Sequence, residues 1–417
     1  MRPLPLPDEP ASARPIPARP TPLQQALAAL VGLALAVGFG RFAYTPLLAM
    51  MEAEGRIGAG AGGYLASAHL AGYLVGALWL AIRPSAPSLA PVFGALAVVT
   101  AGMGGFDQVL VWAGLRFLAG VLSALGFIGV TRRALSGFVH LPVDRRNRLQ
   151  ALAFAGVGLG IVASGALVSS LEALTVGSRA AWIFLAVVLL LLGPMTARFL
   201  GPIAEPKSKG SAASRRPGAV RWPLVLAYGA MGFGYIVPAT YLPLMARLQL
   251  GVAATPVWVW PLFGLAATVS VLVLVPLARR ASDRRIWIFG QLLMASGLVL
   301  PALLPGEGPL ALAALAWAGL AWAGLAWAGL AVGGTFMVIT LTGLREAHRL
   351  AGPDEPTRAL AVLTAAFALG QAVAPALAGA AHDATGGFAA PLGIAALVLL
   401  AGLACLGFAS ETIKEKG

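Results

Sequence analysis

Twelve long apolar stretches constrain this chain more than any other feature of its sequence. They fall at roughly 24–51, 61–82, 88–105, 109–131, 149–171, 180–200, 222–246, 256–278, 286–304, 310–344, 357–381 and 388–410, separated by short charged or Gly/Pro-rich breaks. A helix needs about 20 apolar residues to cross a bilayer core. Most of these stretches lack the polar stripe that a water-facing helix carries. Only 11% of the 417 residues are charged and 59% are hydrophobic, against about 25% charged in soluble domains. A soluble enzyme and a disordered chain are thereby excluded. No alternating ten-residue strands of a membrane β-barrel are visible. The expected fold class is an all-α membrane protein with twelve transmembrane helices in two six-helix bundles.

The charge pattern orients the spans. With the N-terminus placed in the cytoplasm, 24 Lys and Arg residues fall in the tails and the even-numbered connections. Three (Arg56, Arg179 and Arg247) fall on the other side, and two (Arg41 and Arg116) lie inside spans. The positive-inside rule then puts both termini in the cytoplasm, and accounts for a net charge of +13 without nucleic acid. Residues 1–22 carry eight prolines and read as a disordered cytoplasmic tail. The expected organisation continues with a bundle over 23–200, a basic cytoplasmic linker over 201–221, a second bundle over 222–410 and a short tail over 411–417.

The two halves repeat. Gly38-Phe39-Gly40-Arg41-Phe42 in the first span matches Gly232-Phe233-Gly234-Tyr235-Ile236 in the seventh, 194 residues on. Gly160 in the fifth span matches Gly370 in the eleventh, 210 residues on, so the second half has gained 16 residues between. Residues 316–330 read AWAGL three times. A five-residue period turns about 140° on a helix, so Trp317, Trp322 and Trp327 point different ways and read as a duplication without a role of its own.

Polar groups inside spans are costly, and so mark function. Arg41 and Arg116 are the two deep charges, and no Asp or Glu accompanies them. Counting along the spans puts both about 5–6 Å outward of the midplane, and His69 at a similar height. An anionic solute is the economical counter-ion, because guanidinium pairs with carboxylate or phosphate through two hydrogen bonds. His69 is a candidate proton carrier. Tyr44 shares the face of Arg41. Tyr235, Thr240 and Tyr241 occupy the corresponding seventh span, which Pro238 and Pro243 are expected to kink. Gln371 in the eleventh span is a further candidate for the cavity wall. Each also admits a structural reading: backbone-capped arginines, a packed histidine, an aromatic belt. Trp258 and Trp260 read as belt residues. No nucleotide loop, catalytic set or metal-ligand cluster is present, so no enzyme activity, cofactor or metal is expected.

Six plus six spans with a basic central loop resemble the major facilitator superfamily. Arg116 with Gly120 and Ala124 is similar to that superfamily's fourth-span pattern, where the arginine is tied to proton coupling. The run from Gly38 to Leu48 resembles the signature of the bacterial YbfB/YjiJ branch, and Gly370-Gln371 with Pro375 and Gly379 agrees with it. The resemblance implies a secondary transporter of the inner membrane, working by alternating access as a monomer and coupled to protons. It also places Arg83, Asp283 and Arg284 in gating loops, where the usual acidic residue near Arg83 is missing. The reading reached is a carrier of a small organic anion or amphipathic metabolite. An exporter of neutral or cationic compounds and a non-transporting membrane sensor are the alternatives.

Overall fold

The structure, a computed structural model, describes residues 20–82, 87–200, 222–251, 258–303, 311–351 and 356–414. Its helices follow the apolar stretches closely: α1 (Pro22–Ala53), α2 (Ala59–Ile82), α3 (Leu89–Gly105), α4 (Val109–Phe138), α5 (Val143–Ala173), α6 (Ser178–Leu200), α7 (Trp222–Leu250), α8 (Val259–Leu277), α9 (Asp283–Leu303), α10 (Ala311–Ala351), α11 (Pro356–Thr385) and α12 (Ala389–Lys414). Eleven are long and apolar enough to cross a membrane, and α3 is a shorter apolar helix. No strand occurs among the described residues. Leu110, Leu191, Leu397 and many other large apolar side chains face outward. Water does not tolerate so continuous a shell of apolar surface, but lipid does.

Helix α1 starts at Pro22, one residue inside the expected tail. Thr21 is the reason: its side chain accepts from the Gln24 N–H while Gln24 reaches back to the Thr21 N–H. This capping box suits proline at the first helical position, where no N–H is required.

Helix α1 is not uniform. Residues Ala34–Phe42 form a π-helical segment, closed by an Ala43 N–H to Gly38 carbonyl bond of 2.8 Å. Helix α7, expected to kink at Pro238 and Pro243, runs as one continuous α-helix through both. Within the pair of repeats, the departure from α-helix therefore falls on the arginine-bearing member.

The repeat is visible as packing. Gly38 of α1 lies so close to Gly160 of α5 that a Cβ would stand on the partner backbone. Their equivalents behave alike: Gly232 of α7 abuts the Phe367 carbonyl, and Gly370 of α11 abuts the Gly229 carbonyl. Only glycine permits backbones to approach so nearly. The halves meet where α2 packs on α11, α5 on α8, and the end of α1 on α7. Thr45 Oγ donates to the Ala239 carbonyl at 2.6 Å, exactly the repeat offset of 194 residues apart. Equivalent positions touching each other define a pseudo-two-fold axis between α1 and α7.

Helix α10 is 41 residues long. Trp322 stacks on Trp258 at 5.0 Å and Trp327 donates to Ser296 Oγ at 3.1 Å. The two tryptophans thus point to different neighbours, as the five-residue period requires. Trp260 is buried against Phe42 and Phe263, which corrects its reading as a belt residue.

Candidate functional site

The chain directions give the molecule two ends: a termini end, where α1 begins and α12 finishes, and a far end. Between them, on the axis between α1 and α7, lies a small cavity of about 20 Å³. Arg41, Tyr44, His69, Arg116 and Thr240, all expected from the sequence, line it. That volume holds a water rather than a solute, so the site is closed in this conformation.

Arg41 rides on the π-helical segment and is partly buried. Its Nη2 donates to Tyr235 Oη at 2.8 Å and to Gln371 Oε1 at 2.5 Å. Both partners come from the other half, and Tyr235 is again 194 residues away. Tyr235 is held rigid between Phe336 and Phe367, with ring centroids 5.3 and 5.8 Å away and near-parallel planes. Arg41 also stands 5.7 Å from the Tyr73 ring centroid. Its charge is therefore spread over neutral groups.

Arg116 is different. It is 3% exposed, and its guanidinium lies 4.3 Å from the centre of the Tyr44 ring. That ring is itself fixed by a Tyr44 Oη to Gly62 carbonyl bond of 2.8 Å. The Nε of Arg116 has no hydrogen-bond partner, and no acidic residue lines the cavity. The π face supplies some attraction but no acceptor oxygen. His69 is 1% exposed; no side chain hydrogen-bonds to its ring, which lies by the Arg116 backbone carbonyl. Gly120 places it, because the bare glycine lets α4 press against the His69 carbonyl.

Not every expected residue reaches the cavity as a ligand. The Thr240 hydroxyl donates back to the Ile236 carbonyl of its own helix at 2.8 Å. Tyr241 points away from the cavity: it donates to the carbonyls of Ala59 at 3.1 Å and Pro375 at 2.9 Å, tying α7 to α2 and α11 towards the far end. It is a packing residue. Asp283 pairs with Arg345 at 3.7 Å and Arg284 donates to the Leu406 carbonyl, so both ties stay within the second half. Arg83 lies outside the described residues. Glu346 is a buried acid that span counting overlooked, but it sits near the termini end of α10.

Sequence reasoning missed the ion pairs that join the halves. Glu52 of α1 pairs with Arg247 of α7 at the far end, and both are largely buried. Asp144 of α5 pairs with Arg279, just past α8, at 2.5 Å at the termini end, and both are exposed. These arginines read as topology signals only; for Glu52 and Arg247, an acid and a base at nearly the repeat offset was the available clue. Tyr73 was also missed, although it lies one turn after His69 on the same face. Beside the Asp144–Arg279 pair, α5, α8 and α10 enclose a recess of about 440 Å³ lined by Asn147, Gln150, Arg279 and Arg345 among others.

A family model described as an uncharacterised MFS-type transporter, YbfB, matches residues 33–406. Among solved structures, the fold is similar to that of a bacterial homologue of the human lysosomal transporter Spinster, in an inward-facing and unoccupied conformation. The TM-score is 0.69 over 95% of this chain and 98% of that one, at 13% sequence identity. No curated protein matches the chain in sequence.

Proposed function

The chain belongs to the YbfB-type family of MFS transporters, and from that premise we propose that it carries a small organic anion or amphipathic metabolite by alternating access. It is a membrane transporter and not an enzyme. The observation that carries the solute class is Arg116: a buried guanidinium on a tyrosine ring, with no acidic residue among those lining its cavity. An uncompensated charge at mid-membrane costs several kcal/mol. A carboxylate or phosphate removes that cost by accepting two charge-assisted hydrogen bonds.

In this reading the halves 23–200 and 222–410, joined by the basic segment 201–221, rock about the axis between α1 and α7. The charge split favours cytoplasmic termini in a bacterial inner membrane. The far end is then the outer face, fastened by Glu52–Arg247 and by the Tyr241 ties. The polar recess at the other end gives the solute a cytoplasmic approach. When a solute occupies Arg116, Arg41 can exchange Tyr235 and Gln371 for the anion, which links occupancy to the contact between halves. The carrier works as a monomer driven by the proton gradient.

The test is uptake of radiolabelled lactate, benzoate and inorganic phosphate into proteoliposomes, corrected for protein-free vesicles, with ethidium as the cationic comparison. We expect movement of at least one of the anions, abolished in Arg116→Gln and strongly reduced in Arg41→Gln. Transport of ethidium alone, unchanged by either substitution, overturns the anion reading and favours a cation exporter.

A further inference from the structure

We propose that His69 takes up a proton when an anion occupies the central cavity, so that anion and proton load together and cross in the same direction. This deepens the anion reading and rests on it.

The argument is one of charge. The imidazole is 1% exposed and no side chain hydrogen-bonds to it; the Arg116 backbone carbonyl can take one ring N–H, which leaves the other nitrogen an unused proton acceptor in the cavity wall. The groups around it can be named helix by helix. Arg41 and Tyr44 come from α1, Arg116 from α4, Tyr73 from α2 itself, and Thr240 from α7. Beyond Arg41 stand Tyr235 and the neutral Gln371. On α11 the acid that touches α2 is Asp383, beside Gly60. That is nine residues along the helix from His69, or about 13 Å. Protonating the ring would therefore add a third cation to two guanidinium groups, with no carboxylate among the residues that line the cavity.

An entering anion changes this balance. It brings the counter-charge that the ring lacks, and a proton from water can then be held on the free ring nitrogen. The favour is reciprocal: each ligand raises the affinity for the other by the same factor. The sign of this coupling sets the direction of transport. Where a cavity holds a carboxylate, a proton and a cationic solute compete for it, and the two are exchanged. Here the resident charges are positive and the solute negative, so proton and solute cooperate and are carried together. With a monoanion the loaded pair adds no net charge. Release follows on the other side, where departure of the anion leaves the protonated ring facing two guanidinium groups and its proton returns to water.

The experiment supplies the counter-charge from the protein itself, so no solute need be known. Ala66 lines the cavity one helical turn before His69, and Ala66→Asp sets a carboxylate at helical-neighbour distance. Thr240→Asp does so from the other half, should Ala66→Asp fail to fold. Ring protonation is followed by nitrogen NMR of histidine-labelled protein in nanodiscs, with the His69 signal assigned by its loss in His69→Gln. We expect the titration midpoint of His69 to rise by about one pH unit or more relative to the native protein, roughly tenfold in proton affinity. A midpoint unmoved in both folded variants, or moved down, overturns the inference. That result would leave the anion reading intact, because anion uptake and its loss in Arg116→Gln are measured separately. A raised midpoint alongside transport of ethidium alone would instead retire the anion reading and keep His69 as a charge-sensitive proton acceptor.

Discussion

Helices α1 and α7 occupy equivalent places in the two halves and touch at equivalent residues, yet they are built for different tasks. Helix α1 carries a π-helical segment and a charge, Arg41. Helix α7 is α-helical throughout and answers with a neutral hydroxyl, Tyr235, locked in an aromatic stack. The other ionisable groups of the cavity, His69 and Arg116, also belong to the first half. One half therefore holds the charge, and the other holds a rigid neutral surface against it. In the proposed cycle a duplicated scaffold supplies the hinge geometry, and divergence at a few positions makes one side responsive to a charged guest. Wide π turns recur at functional sites because they re-aim side chains without ending a helix. Here the wide turns run from Ala34 to Phe42 and include Arg41.

The largest effect should come from removing the charge that the second half does not satisfy. Arg116→Gln should lower anion uptake by about 100-fold or more, as expected for loss of a bidentate charged contact worth about 3 kcal/mol. Arg116→Lys should recover little, since an ammonium cannot reproduce the planar fork. Recovery by lysine to near-native uptake would mean that charge alone matters. The effect on Arg41 should be smaller and shared across the axis. In a double-mutant cycle of Arg41→Gln with Tyr235→Phe, scored by transport rates, the coupling should be about 1–2 kcal/mol. A coupling near zero would make the contact between the halves incidental to the cycle.

The two clamps offer a second, milder comparison. Glu52–Arg247 is largely buried and Asp144–Arg279 is exposed, and exposed pairs contribute about 0–1 kcal/mol. Glu52→Gln leaves a partly buried arginine unpaired and should free the far end. Labelling of Thr45→Cys, in a background with Cys405→Ala, by an impermeant maleimide from that side should quicken severalfold. Asp144→Asn should change far-side labelling little. Equal responses would show that the clamps do not differ in strength.

Most of the fold was legible because the membrane leaves few choices: span-length apolar runs and an internal repeat each follow from one physical constraint. Five cavity residues were legible too, since a polar side chain in a span costs too much to be idle. What escaped had no such cost attached. A π turn carries no compositional mark: Ala34–Phe42 contains no proline, whereas the prolines of α7 leave that helix continuous. Tyr241 has the same composition signal as Tyr235, and only the three-dimensional path sends one to Arg41 and the other to the carbonyls of Ala59 and Pro375. Glu52 and Arg247 sit at span ends, where charge is unremarkable.

The smallest effect expected concerns the first half's own rigidity. At the far end Asp107 receives hydrogen bonds from Arg56, at 2.8 Å, and from Arg179, joining the connection after α1 and the start of α6 to the α3–α4 turn. The Arg56 hydrogen bond first, then Arg179, holds its carboxyl below the ordinary value of 3.8, outweighing the opposing effect of burial. A carboxylate depressed in the folded state contributes stability that is complete above the unfolded value and fades as pH falls through the folded one. The contribution of Asp107 should therefore be constant from neutral pH down to about 4 and disappear below it. Asp107→Asn should lower the melting temperature slightly at pH 7, and the gap to the native protein should close as the pH is taken below 4. The group is exposed, and salt should shrink the gap as well. A gap that persists in acid would assign the effect to the shape of the turn instead of its charge. Among the described residues, Arg247 of the second half is paired at this end with Glu52 of the first half. The first half is braced by its own ion pairs at the far end, and Arg247 ties the second half to it.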